Sequence, residues 1–97
     1  MNSTISLQTT VVAAPDQVST RLDDETVLLE LNKGTYYGLN SVGNVIWKLV
    51  QQPKSIENVY FAVLNQYSVD SETCKRDVLR VIEELEGAGL VELKSAA

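Results

Sequence analysis

Histidine is absent, cysteine occurs once, at position 74, and the 97 residues hold two prolines and one tryptophan. Without histidine the chain lacks the commonest general base and the commonest metal ligand. A lone cysteine excludes an internal disulfide and any Cys-x-x-Cys metal or redox pair. Positive charge is also scarce, with eight Lys and Arg against thirteen Asp and Glu and a formal net charge of −5. Nucleic-acid binding draws most of its affinity from phosphate neutralisation, so this balance argues against it. It argues against anionic membrane surfaces too. No stretch approaches the roughly 18 consecutive apolar residues of a membrane span. Residues 1–14 show no basic segment leading into an apolar core, so a cytoplasmic setting is expected. Phosphate-loop and nucleophile–base patterns are missing as well, and neither an enzyme nor a cofactor is expected.

What remains is an ordinary globular composition, 44% hydrophobic, in a length that fits one domain over residues 1–97. A domain this small buries a modest core, which makes a groove or strand edge a more natural binding surface than an enclosed cavity. Residues 4–12 are rich in β-branched side chains, with Ile5, Leu7 and Val11 on one side, and read as a strand. Pro15 and Asp16 mark a turn, residues 17–22 a second strand, and Asp23-Asp24 a tight turn. The clearest strand spans 26–32, with Val27, Leu29 and Leu31 on a face read as core and Leu28 and Glu30 on the other. Asn32-Lys33-Gly34 turns the chain, with Gly34 at positive φ. Residues 35–39 form a short extended piece whose Tyr36 and Tyr37 mark either an interface or, as aromatics in a short strand more often do, packing.

Helical periodicity follows. Asn40 or Ser41 caps a first helix with an apolar stripe of Val42, Val45, Ile46, Leu49 and Val50, and Pro53 ends it. Ser55 caps a second, with Ile56, Val59, Tyr60, Val63, Leu64 and Tyr67 on one face. Asp70 or Ser71 caps a third, which runs to about Glu86 before Gly87 and Gly89. Residues 90–93 alternate like a closing strand. The fold class expected is α+β: a winged helix-turn-helix with an N-terminal three-stranded antiparallel sheet, three helices and a short C-terminal strand.

Residues 26–50 read T-V-L-L-E-L-N-K-G-T-Y-Y-G-L-N-S-V-G-N-V-I-W-K-L-V. This apolar strand, Gly turn with aromatics, Leu-Asn and helix with Gly and Ile-Trp resembles the signature of the PqqD-like family. The stretch from Asp77-Val78 through Glu84-Leu85 to Gly89-Leu90-Val91 is similar to the family's third helix and its ending. The resemblance covers roughly residues 17 to 93. Tyr37-Gly38-Leu39-Asn40 and Ile46-Trp47 look more like the stand-alone domains of lasso-peptide pathways than like PqqD itself. The resemblance implies a non-catalytic adaptor, a monomer or weak homodimer. It would hold the leader segment of a ribosomally made precursor peptide as an added antiparallel strand, between the last N-terminal strand and the third helix. A leader protease or other modifying enzyme would then act on the peptide.

On that expectation the strand over 26–32 supplies the edge, with backbone groups of Val27, Leu28, Leu29, Glu30 and Leu31 facing the peptide. Leu28 falls on the face open to solvent or ligand. In the third helix, at about 100° per residue, Cys74, Val78, Val81 and Leu85 cluster within about 60° and suffice for core packing. Leu79 and Ile82 widen the apolar arc to about 160°. They either pack against the sheet or floor the groove, rimmed by Lys75, Arg76 and Glu83. Arg80 and Glu84 read as a solvated i,i+4 pair, Trp47 as buried, and Cys74 as an inert core thiol.

The alternative function for a three-helix body with a wing is DNA recognition. The third helix opposes it with five acids (Glu72, Asp77, Glu83, Glu84, Glu86) against three bases (Lys75, Arg76, Arg80). A gel shift at low salt, where electrostatic binding is strongest, should therefore show no complex with duplex DNA. A specific shift at nanomolar protein would restore the DNA-binding alternative.

Overall fold

The computed structural model describes residues 6–22, 25–67 and 69–95. The expected turn at Asp23-Asp24, and residues 4 and 5 of the expected first strand, lie outside them. The elements in chain order are β1 (Thr10–Ala13), β2 (Gln17–Leu22), β3 (Glu25–Glu30), β4 (Tyr36–Leu39), α1 (Ser41–Leu49), β5 (Lys54–Ser55), α2 (Ile56–Gln66), α3 (Ser71–Gly87) and β6 (Val91–Lys94). No helix of the described residues is long and apolar enough to cross a membrane.

Each helix starts where a short polar side chain can satisfy a free backbone N–H. Asn40 accepts from Gly43 N at 2.8 Å, Ser55 from Asn58 N at 3.1 Å and Asp70 from Thr73 N at 3.0 Å. Their apolar stripes meet in one core. Ile46, Trp47 and Val50 come from α1 and its end, Ile56, Val59 and Val63 from α2, and Cys74, Val78, Val81, Ile82 and Leu85 from α3.

The strands form two three-stranded antiparallel sheets, ordered β5-β1-β6 and β2-β3-β4. This corrects the expected single sheet of the first three strands. β1 leaves that group and pairs with β6 (Val11↔Leu93, Ala13↔Val91) and with β5 (Thr10↔Ser55). The buried Val11, Leu90 and Val91 explain the choice, since pairing here closes the core beneath the helices. Ala13 N donates to Val50 O at 2.8 Å and Ala14 N to Leu90 O at 2.9 Å, tying the strand to the ends of α1 and α3. The Pro15–Asp16 bend then carries the chain into the other sheet, whose third strand is β4 rather than β1.

A second correction concerns which side of β3 faces inward. Leu28 is fully buried and Glu30 is 5% exposed, whereas Leu29 and Leu31 are 39% and 56% exposed. Val27 is half-buried. The expected solvent face is therefore the core face, and Leu28 is not open to a ligand. The apolar count along β3 pointed the other way because Glu30 looked like a surface residue. Its carboxylate is instead satisfied locally, accepting from Lys33 N at 2.5 Å and from Asn32 Nδ2 at 3.4 Å. A buried acid with partners loses little of what an orphaned one would lose. The strand can then turn Leu28 toward Leu39 and the helices.

This inversion separates two substitutions. Leu28→Ala should lower unfolding stability by about 2–5 kcal/mol, the range for a large aliphatic side chain deleted from a core. Leu29→Ala should change it by about 1 kcal/mol or less, as surface positions do. Urea midpoints at constant slope would show the difference; equal losses would mean that the faces are assigned wrongly.

Candidate functional site

In the β2-β3-β4 sheet, β3 is the central strand. It is paired with β2 from Gln17↔Glu30 to Leu22↔Glu25 and with β4 from Thr26↔Leu39 to Leu29↔Tyr36. Its backbone groups are therefore engaged on both sides, and the expected edge at Val27–Leu31 does not exist. Among the described residues the open edges belong to β2 and β4.

Of these, β4 lies beside α3. It is fixed at one end by the Gly34 turn (φ 73°), where Gly34 N donates to Glu30 O at 2.9 Å, and at the other by the Asn40 cap of α1. Gly43 lets α1 approach closely, since a Cβ there would stand 3.0 Å from Leu39 Cδ2. Glu30 N donates to Thr35 O at 2.8 Å, so Thr35 points its carbonyl toward β3. By the alternation of an antiparallel ladder, Tyr37 and Leu39 also direct their backbone groups to β3. Tyr36 and Gly38 direct theirs to the open edge.

Side chains alternate as well. Tyr37 and Leu39 stand on the core face opposite Leu28 and Thr26, and Leu39 is 2% exposed. Tyr36 and Gly38 stand on the outer face opposite Leu29 and Val27. There Val18, Leu29 and Tyr36 line up across the three strands, 49%, 39% and 76% exposed. This apolar row on an outer surface ends at the open edge.

Two contacts tie the β4 region to α3. The Tyr37 hydroxyl donates to Glu84 Oε1, and Thr35 Oγ1 donates to the Ala88 carbonyl at 2.8 Å. Glu84 in turn meets Arg80 at 3.4 Å, which also lies 3.8 Å from Asp77. All three charged side chains are about half exposed, so these ion pairs contribute little stability, about 0–1 kcal/mol each. Both lie within α3, so the side of the helix that faces the edge is set by its buried stripe of Cys74, Val78, Val81 and Leu85. At about 100° per residue, Lys75, Leu79 and Ile82 lie about 140–180° round the helix from Glu84. Ile82 is fully buried and Leu79 half-buried against the core, so neither floors a groove beside β4. Lys75 is half-buried, while Arg76 and Glu83 are exposed on the solvent side.

The open edge thus lies one strand later than expected, and β4 touches α3 through Glu84 rather than through Leu79 or Ile82. Tyr36, Tyr37 and Gly38 are outside the expected site, although the two tyrosines carry an interface as one of their two expected roles. A glycine inside a strand, directly after two tyrosines, was the available signal. The solvated pairing of Arg80 with Glu84, the buried Trp47 and the buried Cys74 match the structure. Burial first, and the Asp77 charge second, push the Cys74 thiol up and away from nucleophilic thiolate. An open depression of about 290 Å³ lies between Asp16, Glu30, Lys33 and Gly89. The Glu30 carboxylate in it is already occupied by the turn. Among the described residues no three His, Cys, Asp or Glu side chains are grouped to hold a metal.

Burial, and then the hydrogen bond and charge of Glu84, push the Tyr37 hydroxyl from its usual 10.0 up to about 12, against the weaker pull of Arg80. It is a hydrogen-bond donor at any physiological pH. Because the folded value is raised, the stability linked to this group is complete below about pH 10, where the unfolded tyrosine ionises. It is lost as pH rises through the interval from 10.0 to about 12. An ultraviolet titration should show one of the four tyrosines ionising near 12, and Tyr37→Phe should abolish that step. A profile unchanged by the substitution would remove the Tyr37–Glu84 contact.

The family model for coenzyme PQQ synthesis protein D, PqqD, matches residues 25–91. No curated protein matches the chain. The solved structure of TbiB1 in complex with the TbiA(beta) leader peptide is 40% identical, with a TM-score of 0.74 over 84% of this chain and 94% of that one. A lasso peptide synthetase B1 complexed with the leader peptide is 22% identical, with a TM-score of 0.72 over 84% of this chain and 96% of that one, and it shares the fold. The match over residues 25–91 takes in β3, β4, all three helices and the start of β6, and on that match the chain belongs to the PqqD family.

Proposed function

We propose that this chain is a single-domain, non-catalytic adaptor of the cytoplasm that binds the leader segment of a ribosomally made precursor peptide. It would present that peptide to a leader protease or another modifying enzyme. The observation that carries this reading is the 40% identical neighbour held in complex with a leader peptide. The open β4 edge beside α3 supplies the place. The peptide adds as an antiparallel strand to the N–H and C=O groups of Tyr36 and Gly38, so that the three-stranded sheet gains a fourth strand. Tyr37, Arg80 and Glu84 lie beneath it, with the exposed Arg76 and Glu83 as the outer rim. The three helices with β6 are read as the winged helix-turn-helix body that holds this edge in place, and the chain acts as a monomer or weak homodimer.

Magnitudes define what the peptide must bring. Backbone pairing at β4 contributes about 1 kcal/mol per hydrogen bond, while association costs an estimated 4–15 kcal/mol. Side chains must therefore supply most of the affinity. Even at the lowest association cost, micromolar binding needs about 8 kcal/mol from side chains, or about three to five large apolar contacts at about 1.5–3 kcal/mol each. Nothing in this scheme needs a metal, a nucleotide or a nucleophile.

Fluorescence polarisation with the labelled leader of a precursor encoded beside this gene should give saturable binding in the presence of a chelator and without nucleotide. Amide exchange at Tyr36 and Gly38 should slow in the complex, because strand addition engages those N–H groups. The adaptor reading fails if no neighbouring precursor binds to the folded chain. Protection confined to β2 would instead move the peptide to the other edge.

A further inference from the structure

Gly38 is unexplained by the fold. Gly34 and Gly89 have positive φ, Gly43 sits where a Cβ would press on Leu39, and Gly87 ends a helix. Gly38 meets none of these conditions. It lies inside β4 without a positive φ, and a Cβ there would find only Glu25 Oε1 at 3.8 Å, an ordinary contact. Glycine weakens a strand interior, and it often marks a bulge, a bend or a place where a ligand or another backbone comes close; the unbroken pairing from Thr26↔Leu39 to Leu29↔Tyr36 leaves no bulge at Gly38.

Its surroundings define a slot. On the outer face of the sheet Gly38 stands opposite the half-buried Val27, and the exposed ring of Tyr36 is its neighbour on the same face two residues away. The missing side chain leaves a gap floored by the β4 backbone and Val27, walled by Tyr36 and bordered by the Glu25 side chain, whose Oε1 would stand 3.8 Å from a Cβ there. The gap opens onto the β4 edge, and the row Val18–Leu29–Tyr36 ends at the same edge.

We infer that Gly38, Tyr36 and Val27 form a specificity slot that takes one large aliphatic or aromatic side chain of the added peptide strand. This rests on the strand addition at β4 proposed above and says which chemistry the bound peptide must carry. A peptide residue paired with Gly38 projects its side chain onto the outer face, as Gly38 would if it had one. A bulky side chain there lies over the bare glycine and against Tyr36, the arrangement in which an aromatic residue covers a glycine on a neighbouring strand. Specificity then comes from a side of the sheet opposite to α3.

The test uses the intact chain and peptides selected on it from a random dodecapeptide display library. Gly38→Val fills the slot, and valine suits a strand, so the variant should melt at or above the wild-type temperature. It should bind the selected peptides about tenfold or more weakly, on the scale of one apolar side chain kept in water. Tyr36→Thr removes the wall from an exposed position and should weaken binding severalfold. Replacing one bulky residue of a selected peptide by serine should produce the same loss on the wild type and almost no further loss on Gly38→Val. That non-additivity is the signature of direct contact. Amide shift changes along β4 with full affinity retained by Gly38→Val and Tyr36→Thr would overturn the slot and leave strand addition standing. No peptide that perturbs β4 amides would remove strand addition and the slot together. Self-association of the chain through β4 that is abolished by Gly38→Val would overturn the slot in favour of a second copy.

Discussion

The burial of Leu28 against the helices fixes the side of the sheet that faces inward, and the rest of the site depends on that. Leu28 opposes Tyr37 across the ladder, so Tyr37 and Leu39 must also point inward. The intervening Tyr36 and Gly38 must then point outward. A shift of one residue would place Leu29 in the core and turn Tyr36 inward, and the Tyr37 hydroxyl would no longer reach Glu84. One buried leucine thus decides which backbone groups and which side chains an approaching strand would meet.

That parity is affordable because of Glu30. The face that turns inward carries an acid, and an unpartnered carboxylate there would oppose burial. The turn that follows β3 supplies the Lys33 N–H and the Asn32 amide, and Asn32 also reaches Asp16 at 3.1 Å. The same turn brings the chain back as β4 through Gly34. The residues that satisfy the buried acid therefore also build the edge strand.

The sheet is also only partly supported. β3 and β4 carry the buried Leu28 and Leu39, whereas Val18, Ser19, Thr20 and Arg21 of β2 are all exposed. The sheet overhangs the helical body on that side and meets it on the other, at Tyr37–Glu84 and Thr35–Ala88. A strand added to β4 would come to rest over α3, while one added to β2 would have solvent on both faces. This difference in support is why the proposed strand addition is assigned to β4 and not to β2.

Much of the molecule was legible in its residues alone. Capping side chains and period-3.6 stripes located all three helices, because those signals lie within a few residues of each other. The scarcity of histidine, cysteine and positive charge bounded the function, and the ordered run from Thr26 to Val50 carried the family. Strand pairing was not legible. β1 joins β6 across most of the chain, and no local pattern records a partner at that distance. Nor could the pattern of β3 say which face is inner, since both faces hold leucine and the deciding carboxylate is satisfied by a turn that only the folded chain forms. Backbone chemistry within a turn of helix was set by the sequence itself. The edge, the inner face and the side of α3 beside them were decided by tertiary packing, because each depends on which distant surfaces meet.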